Sequence, residues 1–151
     1  MEKKYEFTDE TTEVDSKTLR RIRALRDFGD VKKGDLGGYI EKEDNLSHHG
    51  NCWVGGGAKV YEEARVRDGA KVFGNAHVYG HARVYGNAVV CNNAEIYDKA
   101  RIFEDAAVYV DAQVFENAHI YGKARICGNA QVYGNAWVGG NHIMSTGEKT
   151  R

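Results

Sequence analysis

The chain contains no proline. Pro-rich linkers and collagen-like rods are thereby excluded, and every backbone N–H stays available to a ladder. No stretch approaches the ~18 consecutive apolar residues that a membrane span requires. Residues 1–15, MEKKYEFTDETTEVD, lack the apolar core of a secretion signal. An excess of either charge is missing too. The 21 Lys and Arg against 22 Asp and Glu leave a net charge of −1, so the chain as a whole is not built as a polyanion binder. Cysteine is scarce and odd in number, at three, which fits reduced thiols and a cytoplasmic setting. Leu, Ile and Phe are few, while Ala, Val and 18 glycines are prominent. A thick conventional core cannot be made from that mixture.

What the sequence has instead is a period. Alanine recurs every six residues from Ala58 to Ala136, fourteen times without an insertion. Val or Ile follows two residues after every one of these alanines, from Val60 to Val138. The next residue is usually aromatic, and the last two are turn formers such as Gly-Asn, Asn-Asn, Asp-Lys or Glu-Asp. Six is not a helical period. Residues two apart share one side of an extended strand, so Ala and Val point the same way. Gly and Asn tolerate the positive φ of a sharp corner. A small residue at one inward site every time predicts a narrow closed cross-section rather than an open meander.

This pattern resembles the hexapeptide-repeat proteins, in which an aliphatic residue is followed four later by a small one, as in Val78-Ala82 and Val84-Ala88. The resemblance covers Cys52–Asn141, about 60% of the chain. It implies an all-β fold, a single-stranded left-handed parallel β-helix of about five triangular coils. At ~4.8 Å per coil the prism is roughly 24 Å tall. The segment DFGDVKKGDLGGYIEKEDNLSHHGNCWV is similar to the head of enterobacterial and phage-borne hexapeptide-repeat proteins that are often named transferases. On this reading residues 1–45 are a capping head, 46–141 the repeat and 142–151 a polar tail. Within the head, Lys4–Phe7 and Leu19–Leu25 read as strands, with a short helix at Leu19, Ile22 and Leu25 as the alternative. Asp27–Gly38 reads as a loop. It lacks the GxxxxGK[ST] and GxGxxG patterns of phosphate loops. Ile40 and Leu46 keep the repeat frame and start a first irregular coil.

Residues 18 apart stack, which lays out three outer faces. The first carries Trp53, Lys71, Val89, Ala107 and Arg125 beside Gly55, Phe73, Cys91, Tyr109 and Cys127. Its weakly polar middle (Phe73, Val89, Cys91, Ala107, Tyr109, Cys127) is the candidate oligomer interface. The second carries the aromatic ladder Tyr61, Tyr79, Tyr97, Phe115 and Tyr133, whose plain role is support between strands. The third sets Arg65, Arg83, Arg101 and His119 beside Arg67, Tyr85, Phe103 and Tyr121. Arg83, Tyr85, Arg101 and Phe103 are the candidate ligand-binding residues, for a small phosphorylated molecule.

The resemblance implies that an enzyme of this fold would be an acyltransferase with a histidine base between subunits. His77, His81 and His119 are the candidates, but none is paired with an obvious carboxylate in its own coil, and no hexad is interrupted by a pocket-forming loop. His77 and His81 are spaced HxxxH, unlike the HxxxxH of the metal-binding carbonic anhydrases of this fold, so no metal and no cofactor are expected. Cys91 and Cys127 are two coils apart, too far for a disulfide. The leading expectation is a non-catalytic, self-associating scaffold, a dimer or trimer that binds a host component in a phage setting or a small anionic ligand. Neither a membrane nor nucleic acid is an expected partner.

Overall fold

The computed structural model describes residues 2–151. Strand β1 (Tyr5–Val14) turns back into β2 (Lys17–Ala24), which pairs with β3 (Leu36–Ile40). The β1–β2 turn is Asp15-Ser16, both at positive φ (49° and 69°), the geometry that matches strand twist in a two-residue hairpin. The helix alternative for Leu19–Leu25 is not adopted. The polar stretch after Phe7 extends as strand up to Val14 because the hairpin ladder supplies its backbone partners. β3 leaves the hairpin on its other edge and pairs in parallel with Lys59–Val60.

From Trp53 to Met144 each hexad contributes one two-residue rung, and rungs 18 residues apart pair in parallel; the last rung, Glu148–Lys149, pairs with Gln131–Val132 at a separation of 17. Three sheets result. The first face runs from Trp53–Val54 to Ile143–Met144. The second starts at β3 and ends at Glu148–Lys149. The third runs from Arg65–Val66 to Trp137–Val138, with Leu46 bridging to Val66 above it. The fold is thus an all-β parallel solenoid of about six turns rather than five. The added turn comes from Ile40 and Leu46 above the first regular rungs and from the strands Ile143–Met144 and Glu148–Lys149. No helix among the described residues is long and apolar enough to cross a membrane.

The inward Ala and Val or Ile of every hexad are at most 2% exposed. The core is therefore two side chains per rung, repeated. Non-glycine corner residues at positive φ have a second role. Glu62, Asp68, Asn92, Asp98 and Glu104 each accept the backbone N–H of the corner one coil on (Gly80, Gly86, Val110, Glu116, Gly122) at 2.9–3.0 Å. The strained conformation is offset by a hydrogen bond that glycine cannot make.

The head closes the upper end. Lys4 is fully buried, and its Nζ donates to the carbonyls of Cys52 (2.7 Å) and Gly50 (3.1 Å), 4.7 Å from the centre of the Phe28 ring. Burial pulls the Lys4 ammonium below its usual pKa range. Tyr5 stacks on His48 (4.1 Å) and donates to the Leu46 carbonyl at 2.7 Å. Buried Asn45 donates to the carbonyls of Glu62 and Ala64 and accepts from the N–H groups of Glu41 and Lys42. Gly37 and Gly38, expected in a loop, lie inside β3. A Cβ on either would sit 2.6 Å from a backbone carbonyl of the first coil, Val54 or Ala58. These glycines serve close approach of two backbones.

Candidate functional site

The third face carries the chemistry. Its ladder pairs Arg65 with Arg83 and Arg83 with Arg101, and Arg101 with His119. Parallel pairing without insertion forces this stacking, because one register error would turn every side chain to the core. Like charges directly opposite one another destabilise a sheet. Among the described residues none of these three arginines has a carboxylate within ion-pair distance. The nearby acids are used elsewhere: Glu62, Asp68, Asp98 and Glu104 hold the corner N–H groups, and Glu63 pairs with Lys42 at 2.6 Å.

The corner leading into this face adds His81, Lys99 and Asn117, again 18 residues apart. Together with Arg83, Arg101 and His119 they line one open cleft that no carboxylate lines. A second hollow, at the head end, is lined by Arg65, Arg67 and Arg83 but also by Glu43 and Asp44. Arg83, Lys99 and Arg101 are therefore the cations of this cleft without an ion-pair partner among the described residues, below the acidic rim of the head. Asp98 and Glu116 lie around the corner, beside His81 and Lys99 on the other side.

The aromatic rings on this face are packed against each other. Tyr85 stacks on Phe103 (5.1 Å, 4°) and Phe103 on Tyr121 (5.6 Å, 15°). Their faces are occupied, so no platform remains on which a base could stack. Only Arg67 lies over an aromatic ring here, 4.5 Å from the centre of Tyr85; Arg83 and Arg101 are left free of such contacts among the described residues. The second-face ladder is likewise stacked, with successive centroids 4.8–5.1 Å apart.

The three histidines do not converge. His77 is on the second face, edge-on to Tyr61, and burial lowers its pKa. His81 and His119 line the cleft. His119 Nδ1 lies 2.9 Å from the Asn117 carbonyl oxygen, which can only accept, so Nδ1 donates and Nε2 is left unprotonated in the neutral ring. Its ring stacks on Trp137 at 4.0 Å. A base held by a carbonyl and an indole has no carboxylate to stabilise its imidazolium. No group of three or more His, Cys, Asp or Glu side chains suited to a metal occurs among the described residues.

Of the residues read as ligand-binding from the sequence, Arg83 and Arg101 line the cleft, whereas Tyr85 and Phe103 form the stacked wall beside it. Lys99 and Asn117 were not singled out. Their signal in the sequence is the corner column 81, 99, 117, which stacks at the same spacing of 18 as the strand positions.

Comparison with known proteins agrees with the fold. The profile described as the YdcK β-solenoid repeat matches residues 76–92 and 124–140. An "Uncharacterized acetyltransferase YdcK" of Escherichia coli (strain K12) is 50% identical over 36 residues, 24% of this chain and 11% of that protein. The aligned stretch thus spans about a tenth of the relative's length. The chain is a parallel β-solenoid of six-residue rungs, similar over part of its repeat to that protein.

Proposed function

We propose that this protein is a non-catalytic binding solenoid whose third face captures an anionic, phosphate-bearing ligand. The observation behind the reading is the in-register pair Arg83–Arg101, with no carboxylate at ion-pair distance, widened by Lys99, His81 and His119 into one cleft that no carboxylate lines. A column of like charges costs stability unless something neutralises it. Guanidinium forks match phosphate oxygens in geometry and charge. The stacked state of Tyr85, Phe103 and Tyr121 favours recognition of phosphate over recognition of bases.

The printed name of the Escherichia coli relative raises acetyl transfer as a second reading. Neither cleft histidine is paired with a carboxylate, which favours binding over turnover.

Calorimetric titration with inorganic tripolyphosphate tests the proposal. Each guanidinium–phosphate contact contributes roughly 1.5–3 kcal/mol, so Arg101→Ala weakens binding by about 10- to 150-fold. Affinity falls steeply with added salt. Absence of heat with tripolyphosphate at low salt refutes the reading. So does binding that is indifferent to Arg101→Ala. Transfer of acetyl from acetyl-coenzyme A that is lost on replacing His81 or His119 would establish the enzymatic reading in its place.

A further inference from the structure

We infer that the first face holds a slot for a small aromatic carboxylic acid, at the place where Gly55 interrupts its outward column. The slot lies apart from the third-face cleft and does not rest on the reading of that cleft.

Gly55 is a glycine that the backbone does not require. Of the 18 glycines, twelve have positive φ. Five more (Gly37, Gly38, Gly57, Gly69 and Gly139) would bring a Cβ to 3.1 Å or less from another atom. Gly55 alone has neither reason. Its φ is outside the left-handed region, and an added Cβ would meet Trp53 Cδ1 at 3.5 Å and Phe73 Cβ at 3.7 Å, which are ordinary contacts. The equivalent position of most hexads is aromatic. On the second face such rings stack at 4.8–5.1 Å, rung upon rung. Phe73 has no ring above it, because the residue one rung up is Gly55. It is 42% exposed and stacks on no other ring among the described residues.

The missing side chain leaves a hollow of about 250 Å³ between Trp53 and Phe73, closed on the head side by Val31. An apolar cavity of ~150 Å³ already holds a benzene ring. The space therefore takes one ring and a short substituent. The Trp53 wall is held in place, edge-on to Phe28 at 5.3 Å and to Tyr5 at 6.5 Å.

Two donors face this apolar space. Trp53 is 9% exposed, and its Nε1 lies 3.7 Å from the Cβ position of Gly55. Among the described residues nothing accepts that indole N–H. A nearly buried donor without an acceptor is costly, and a ligand oxygen relieves it. Lys71 lines the same hollow and pairs with Asp30 at 3.2 Å. The Asp30 side chain is 93% exposed, and so exposed a pair is weak enough to yield its ammonium to another carboxylate. A ring slot with an N–H and an ammonium but no other polar partner selects an aromatic ring bearing one carboxylate.

Titration of the full chain with phenylacetate, followed on the two tryptophan indole N–H resonances by NMR, tests this. Trp137→Phe assigns them. The Trp53 signal should move with a Kd on the order of 0.1–1 mM, as befits so small a ligand. Lys71→Met should weaken binding about tenfold, and phenylacetamide should bind the wild type about tenfold more weakly than the acid. Asp30→Asn should tighten it about two- to fivefold. Gly55→Leu, which fills the slot, should abolish binding while circular dichroism stays unchanged. An unmoved Trp53 resonance overturns the inference, and so does a shift confined to Trp137, which places the acid in the third-face cleft. Equal affinity for acid and amide overturns it, as does binding indifferent to Lys71→Met, whether or not Gly55→Leu folds. Binding only of a peptide ending in phenylalanine, or a dimer lost in Gly55→Leu with no acid bound, gives the slot another occupant and overturns it likewise.

Discussion

Arg83→Gln provides the sharpest test of the charge argument, because it separates stability from binding. Arg83 stands between Arg65 and Arg101 in register, one rung from each. Guanidinium groups ~5 Å apart in water repel by about 0.8 kcal/mol per pair. Two neighbours give roughly 1.6 kcal/mol at low ionic strength. At physiological salt the Debye length of ~8 Å reduces that to about 0.9 kcal/mol. Glutamine keeps most of the stem and its packing but removes the charge. The unliganded Arg83→Gln protein is therefore expected to be more stable than the wild type by about 1 kcal/mol. Urea unfolding at low salt and at ~1 M salt measures this, and the gain should vanish at the higher salt. The same variant should bind tripolyphosphate more weakly. A loss of stability refutes the reasoning, since it would mean that Arg83 is structurally engaged. A gain that persists at high salt refutes it as well, because repulsion would then not be its cause.

The head and corners give further predictions. Lys4→Met leaves the carbonyls of Cys52 and Gly50 without their buried donor. It should cost about 2–6 kcal/mol in urea unfolding, roughly 1–3 kcal/mol for each orphaned carbonyl. Val110→Asn should stabilise the chain by roughly 1 kcal/mol in urea unfolding, because it removes a strained β-branched corner. Ala94→Leu should cost at least ~2 kcal/mol by overfilling a closed rung; a neutral result would show that the coil can widen. Burial lowers the pKa of both His48 and His77. The unfolded chain thus binds protons first as pH falls, so stability should drop on acidification below pH ~6.5. His48→Gln with His77→Gln should flatten the loss seen by thermal unfolding between about pH 7 and pH 5. An unchanged slope would remove these two groups as its source.

The period of six was enough to place the repeat. Residues at i and i+2 in a strand share a face, and an alanine that never gives way leaves room only for a narrow coil. Columns 18 apart, and hence the juxtaposition of Arg83 with Arg101, could be written down before any coordinates. The head was less legible because it has no period. Its strands are specified by pairing with β3 and by the approach of Gly37 and Gly38 to the first coil, contacts between residues distant in sequence. The buried Lys4 gave no local sign, since its acceptors are carbonyls around Gly50 and Cys52.

Charge shows the division most clearly. Composition gives a nearly neutral chain, and from that alone no anion site follows. Only the folded arrangement decides which charges remain free. The carboxylates at Glu62, Asp68, Asp98 and Glu104 turn to backbone N–H groups one coil on, and none lies within ion-pair distance of Arg65, Arg83 or Arg101. The hexad by itself determines the rungs, the inward pair and the outward columns, because strand alternation is a local property of the backbone. Which corner side chains turn along the solenoid axis to cap their neighbours, and which cations are left without a partner, is settled by contacts between coils.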